Sequence, residues 1–274
     1  MGILDSRVAV ITGSTKGIGK AIAHEFVREG SRVVITSSSR SNVDAAVLEF
    51  PAGSVWGRVC DVTSAGEMEQ LISDAADHFG RVDCLINNAG ISESYGTIAD
   101  SDPAEWGRVI DTNLKGTYNG CRAALNYFRR EKIKGKIINM AGSGTDLASN
   151  TPWISAYGST KAAIARLTYA VAKEFRGSGI SVMLLHPGLV RTGMVSGANL
   201  TPELRKQLDT FNTILDIFAQ PPSVAARLAV KLASSWSDRR TGIYLSALNG
   251  RRKKWLLMTY PFRKILQRVD RRTY

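Results

Sequence analysis

The chain has little cysteine, little histidine and no long apolar run. Its 274 residues include three cysteines and three histidines. Cys60, Cys84 and Cys121 are odd in number, far apart and set among apolar residues, which argues for buried thiols over a disulfide framework or a metal site. Three scattered histidines make a zinc enzyme a poor fit. No apolar run approaches the length that spans a bilayer. The opening MGILDSRVAVITG has no cationic leader before its apolar run, so it does not read as a signal peptide and the expected location is cytoplasmic. Acid is missing from one place in particular. Residues 251–274 hold nine Lys or Arg against Asp270 alone, in a chain of net charge +12. The basic character therefore belongs to a tail and not to the domain before it.

What is present is a soluble α/β composition, 44% hydrophobic and 22% charged, in a length that one domain can use. RVAVITG at 7–13 reads as a buried parallel strand, the next segment carries a helical pattern through Ile18, Ile22, Phe26 and Val27 closed by Gly30, and SRVVITS repeats the strand signal. Further strands are expected near 54–59, 83–87, 135–140, 180–185 and 242–246, with helices near 65–79, 102–129, 152–176 and 222–236. This alternation predicts a Rossmann-like doubly wound parallel sheet in a single domain, with its ligand site at the carboxyl ends of the strands.

The unusual residues fall at those ends. Gly13, Ser14, Thr15, Lys16, Gly17, Ile18 and Gly19 lie between the first strand and the first helix, where glycines let the backbone approach a pyrophosphate seated on the helix N-terminus. A carboxylate after the second strand would select NAD by bonding the ribose diol. Ser37, Ser38, Ser39 and Arg40 stand there instead, with Lys16 on the facing turn, and predict NADP(H) through a cradle for its 2′-phosphate. Asp61 and Val62 follow the third strand and Asn88, Ala89 and Gly90 the fourth, positions suited to the adenine and to passage of a cofactor. In SAYGSTKAA, Tyr157 and Lys161 lie four residues apart. On a helix they share a face, and the cation favours the phenolate of a tyrosine that otherwise ionises at about pH 10. Taken alone the pair is also what an ordinary amphipathic helix would show. Asn113, in DTNLKG, sits mid-helix and reads as a solvated face, a backbone contact or a bend holding a water.

Together TGxxxGIG at 12–19, NNAG at 87–90, Asn113, Tyr157-x-x-x-Lys161 and HPGLVRT at 186–192 resemble the classical short-chain dehydrogenase/reductase family over about residues 5–248. The resemblance implies a seven-stranded sheet and a homodimer or homotetramer built on the two longest helices. It implies that Tyr157 is the general acid of carbonyl reduction, that Lys161 lowers its pKa and holds the nicotinamide ribose, and that Asn113 positions a relay water. Pro187, Gly188, Val190 and Thr192 would face the nicotinamide. One position departs from the family. The serine that polarises the substrate oxygen falls on Gly142 or Gly144, so Ser143 is taken for that role, with a backbone N–H as the alternative.

Residues 193–221 are expected to form a substrate lid, apolar along Leu204, Leu208, Phe211, Ile214, Leu215 and Phe218, a pattern that a plain packing helix would equally show, and Trp153 with the loop 91–97 the opposite wall. The catalytic and cofactor unit is expected to span residues 1–250. The tail 251–274 interleaves its cations with Trp255, Leu256, Leu257, Met258, Tyr260, Phe262, Ile265 and Leu266, which suits a second subunit or a solvated segment, and, less favoured, an anionic membrane surface. No module for reading nucleic acid accompanies the charge. The expected function is NADPH-dependent reduction of a carbonyl such as a ketone, a 3-oxoacyl thioester or a polyketide. The alternative is a catalytically weak NADP-binding scaffold or regulator.

Overall fold

A computed structural model of the chain describes residues 2–146, 150–190 and 202–266. Seven strands form one parallel sheet in the order β3-β2-β1-β4-β5-β6-β7. They are β1 (Val8–Ile11), β2 (Arg32–Ser37), β3 (Val55–Val59), β4 (Cys84–Asn87), β5 (Lys136–Met140), β6 (Ser181–His186) and β7 (Tyr244–Ser246). The central strands are apolar at nearly every position because both faces are covered. Alternate residues serve opposite cores. Val8 and Val10 pack with Met68, Leu71, Phe128 and Val171 on one side, whereas Ala9 and Ile11 pack with Ile22, Phe26 and Ala229 on the other. Helices α1 (Gly17–Arg28) and α8 (Pro222–Ala233) thus lie on one face, and α3 (Ala65–Phe79), α5 (Gly116–Arg130) and α6 (Ser155–Glu174) on the other. Strand order reverses between β1 and β4, and a crevice at such a reversal is where doubly wound folds bind ligands.

One expected helix is broken and two further helices appear. After β2, Ser39 caps a short helix α2 (Arg40–Val47) by accepting from Asn42 N at 3.4 Å. The single helix expected over 102–129 is α4 (Pro103–Val109), a π turn (Ile110–Lys115) and α5. The tail begins as a helix, α9 (Gly250–Leu266), whose first turn is capped by Asn249 Oδ1 accepting from Arg252 N at 2.9 Å. The remaining helix, α7 (Pro202–Phe218), covers part of the expected lid, and residues 193–201 lie outside the described residues. Cys60, Cys84 and Cys121 are buried free thiols, each pushed by burial up to about 12. They are structural groups with no thiolate character near neutrality.

Candidate active site at the carboxyl edge of the sheet

The turn after β1 is built for close backbone approach. Gly13 has φ +60° and lies so near the loop after β4 that an added Cβ would stand 2.9 Å from Ala89 Cα. Asn88 locks the two loops together, its Nδ2 donating to the carbonyls of Thr12 and Gly13 at 2.9 and 3.0 Å, while Thr12 Oγ1 accepts from Asn88 N and Ala89 N. Ser14 is fully buried and spends its hydroxyl on Ile11 O and Thr36 N, so that side chain braces β1 against β2 and offers a ligand nothing. Thr15 is half-buried and Lys16 exposed. Lys16 is the N-cap of α1, and among the described residues no side chain caps that helix and no acid lies in its first turn. Its first N–H groups therefore face outward, beside the open space around Gly17.

At the end of β2, Arg40 is exposed and 3.9 Å from Asp44, one turn along α2. Ser37 accepts from Ser39 N, and Ser38 is exposed. Asp61 is exposed after β3 and accepts from Thr63 N, while Val62 is buried against Gly116. Pro187 is buried, and Gly188, with φ +78°, and Val190 are half-buried on the loop after β6. Thr192 lies outside the described residues.

Tyr157 and Lys161 stand one turn apart near the start of α6, as their spacing requires. Lys161 is buried and donates from Nζ to Met140 O at the end of β5, 3.0 Å away, with the same ammonium 5.5 Å from the Tyr157 ring centroid. Burial pushes the Tyr157 phenol up to about 12 and the Lys161 ammonium down to about 8. The expected lowering of Tyr157 by Lys161 is therefore not what the protein by itself produces, since desolvation outweighs the neighbouring cation.

Gly142 explains the departure at the serine position. A Cβ there would lie 2.3 Å from Tyr157 Oη and 3.1 Å from Lys161 Cγ, so the Tyr157 phenol and the stem of Lys161 fill the space a serine side chain would need. Gly142 N is not a free donor, because it donates to Thr145 Oγ1 at 3.0 Å. Ser143 is half-buried on the same turn, followed by Gly144 with φ +91°.

Asn113 makes the backbone contact and is not a solvated face. It is fully buried in the π turn, its Oδ1 accepting from Ile91 N at 2.8 Å and its Nδ2 donating to Ile91 O at 2.9 Å and to Thr160 Oγ1 at 3.1 Å. The side chain fastens the loop after β4 to α6, and the π turn supplies the extra residue that aims it inward.

Two residues have roles that the sequence reading did not assign. Glu93, buried in the loop 91–97, accepts from Ala156 N at 2.6 Å and from Tyr157 N at 3.0 Å. It caps the helix that carries the phenol, in place of Ile154, which has no capping side chain. A carboxylate 64 residues from its partners leaves no local signature. His186 Nδ1 accepts from Gly188 N at 3.0 Å, and burial, with Lys161 and Lys253 nearby, holds the imidazole down at about 4. It is a neutral brace for the loop after β6. Trp153 adopts φ +74°, its carbonyl accepts from Gly96 N, and its ring lies 6.3 Å from that of Tyr95, so Trp153 and the loop 91–97 pack together. A bulky residue in the left-handed region is a strained one, held here by its neighbours.

A family model for the short chain dehydrogenase matches residues 7–203. The chain belongs to that family. A chlorophyll(ide) b reductase NOL of rice is 36% identical over 225 residues, covering 79% of this dehydrogenase chain and 63% of the relative, so the chain spans about two thirds or less of the length of such relatives. An oxidoreductase of Mycobacterium bovis is 36% identical over 255 residues, 91% of this chain and 98% of that one. In structure, the 3-ketoacyl-(acyl-carrier-protein) reductase of Brucella melitensis complexed with NADH superposes with a TM-score of 0.77 at 26% identity, covering 91% of this chain and 99% of the other. A nicotinamide cofactor is the family's, and the residues fit one: uncapped N–H groups at α1 beside Gly17 suit a pyrophosphate, and Tyr157 and Lys161 stand across the same edge.

Proposed function

We propose that this short-chain dehydrogenase/reductase is an NADP(H)-dependent reductase of a hydrophobic carbonyl compound. The observation that carries the reading is the pair of Tyr157 and buried Lys161 at the carboxyl edge of β5, pressed against the backbone of Gly142. The cofactor supplies the hydride when bound. Tyr157 Oη gives its proton to the carbonyl oxygen as charge gathers there, and a phenol held up at about 12 keeps that proton until a stronger base, the incipient alkoxide, takes it. Lys161, fixed by Met140 O, offers its cation to the phenolate left behind. Ser143 polarises the carbonyl from the turn beside Gly142. Asn113 and Glu93 hold the phenol's helix to the loop after β4.

Preference for NADP(H) rests on the absence of a carboxylate directly after β2 and on Lys16 and Arg40 as exposed cations on adjoining turns. A hydrophobic substrate is supported by Tyr95 and Trp153 on one wall and by the half-buried Phe211, Leu215 and Phe218 of α7. The outer faces of α5 and α6, with Tyr118 half exposed beside Leu125, Leu167 and Phe175, suit a homodimer, and sedimentation velocity showing only monomer at micromolar concentration would exclude it. The functional reading is tested by following cofactor oxidation against a panel of ketones, aldehydes and 3-oxoacyl thioesters. Turnover with NADPH at least about tenfold more efficient than with NADH is expected from a built phosphate contact. Cofactor binding with no turnover across the panel would favour the scaffold alternative, for which the glycine in place of the usual serine and the added basic tail are the arguments.

A further inference from the structure

We propose that α9 docks the enzyme on an anionic lipid surface, with its outward face lying in the headgroup layer. The helix has two unlike sides. Toward the domain it turns Arg252, whose Nε donates to Gln220 Oε1 at 3.1 Å, then Leu256, 3% exposed, and the half-buried Tyr260, at spacings of four. Gln220 is itself buried and donates to Ala247 O at 3.1 Å, so the helix is anchored at its base to the body of the fold. Away from the domain it turns Arg251, Lys254, Trp255 and Met258, at i, i+3, i+4 and i+7, flanked by Leu257, and Arg252 Cζ lies 5.0 Å from the Trp255 ring centroid. Trp255, Leu257 and Met258 are 50, 57 and 74% exposed. The segment 250–266 contains no acidic residue.

Water alone is a poor partner for that face, and charge decides among the others. A two-fold contact with a second copy would bring Arg251 and Lys254 against the same two cations, with no acid in the helix to pair them. A nucleic-acid backbone would satisfy the cations and leave Leu257 and Met258 in water. An anionic bilayer satisfies both sets at once: indole, leucine and methionine enter the boundary between headgroups and chains, and the long stems of Lys254 and Arg251 let their heads stay among the lipid phosphates. The shortness of the exposed stretch and its dependence on charge make the contact reversible and peripheral. No helix among the described residues is long and apolar enough to cross a membrane.

The test uses the full chain and vesicles of either pure phosphatidylcholine or equal parts phosphatidylcholine and phosphatidylglycerol. Co-sedimentation is expected with the anionic vesicles only, falling away at about 0.5 M salt, where surface charge is screened. Brominated lipid is expected to quench tryptophan fluorescence in the wild type and not in Trp255→Phe. Arg251→Gln with Lys254→Gln, and separately Trp255→Ser with Met258→Ser, should each weaken partitioning at least about tenfold while thermal unfolding and NADPH-linked turnover stay unchanged. No sedimentation with anionic vesicles at low salt would overturn the proposal. So would partitioning indifferent to both pairs of substitutions, dissociation of an oligomer by the Trp255 and Met258 pair, or tighter binding to a DNA duplex than to the vesicles.

Discussion

Gly142 is the residue on which the site's geometry turns. Its missing side chain is what allows Tyr157 Oη to sit against the loop after β5, and a methyl group there would need the hydroxyl to move from a 2.3 Å overlap. Gly142→Ala is therefore expected to lower turnover by about 100-fold, the usual cost of displacing a reacting group by roughly 1 Å, with little change in melting temperature. Gly142→Ser, which restores the family's usual residue type, should do no better. Activity near wild type in either enzyme would show that the phenol is not held by this contact. His186 makes a separate prediction in pH. Its folded pKa of about 4 lies below the ordinary 6.5, so as pH falls the unfolded chain takes up the proton first. The stability this imidazole contributes is complete above pH 6.5 and is lost as pH drops toward about 4. His186→Asn keeps an acceptor near Gly188 N and removes the titration, so the difference in urea-unfolding free energy between wild type and variant should slope across that window and be flat above it. A difference curve without slope would contradict the buried, neutral state.

At the scale of elements, the decisive contacts are those that join loops to α6. The helix starts at Ser155 with no local cap, and Glu93 supplies one from the loop after β4. Glu93→Ala would strand two N–H groups and cost about 1 kcal/mol, roughly 2–4 °C in melting temperature for a chain of this size, with a fall in kcat larger than the change in KM because the phenol rides on that first turn. Glu93→Gln retains an acceptor oxygen and should recover most of both. Equal loss in the two variants would mean that the carboxylate's charge and not its bond matters. This is also where sequence reading ran short. The strands, α1, α3 and the Tyr157–Lys161 spacing were legible because each rests on local periodicity or on glycines between a strand and a helix. Glu93 and the π turn around Asn113 were not, because their cause is a partner 64 or 47 residues away. Helix α2 escaped notice for a different reason, since a serine run reads as loop until its last member is seen to cap.

At the scale of the whole molecule, the parallel sheet does one thing for chemistry: it delivers the turn after β1, the loops after β4, β5 and β6, and the start of α6 to a single edge. The motif residues at 12–19, 87–90, 157–161 and 186–190 are brought together by that topology, which their order along the chain made predictable. Their electrostatics were not predictable, because desolvation is a property of the assembled interior. It moves Tyr157 up to about 12 and Lys161 down to about 8, opposite to an exposed pair. The phenol is protonated through the neutral range, as an ordinary tyrosine also is, and that is the state an acid in carbonyl reduction requires. The direct test is single-turnover hydride transfer from NADPH to a reducible carbonyl in wild type and Tyr157→Phe. A loss of about 100-fold to 10,000-fold, with cofactor affinity kept, is expected. A variant that transfers hydride at the wild-type rate would contradict the assignment of Tyr157 as the proton donor.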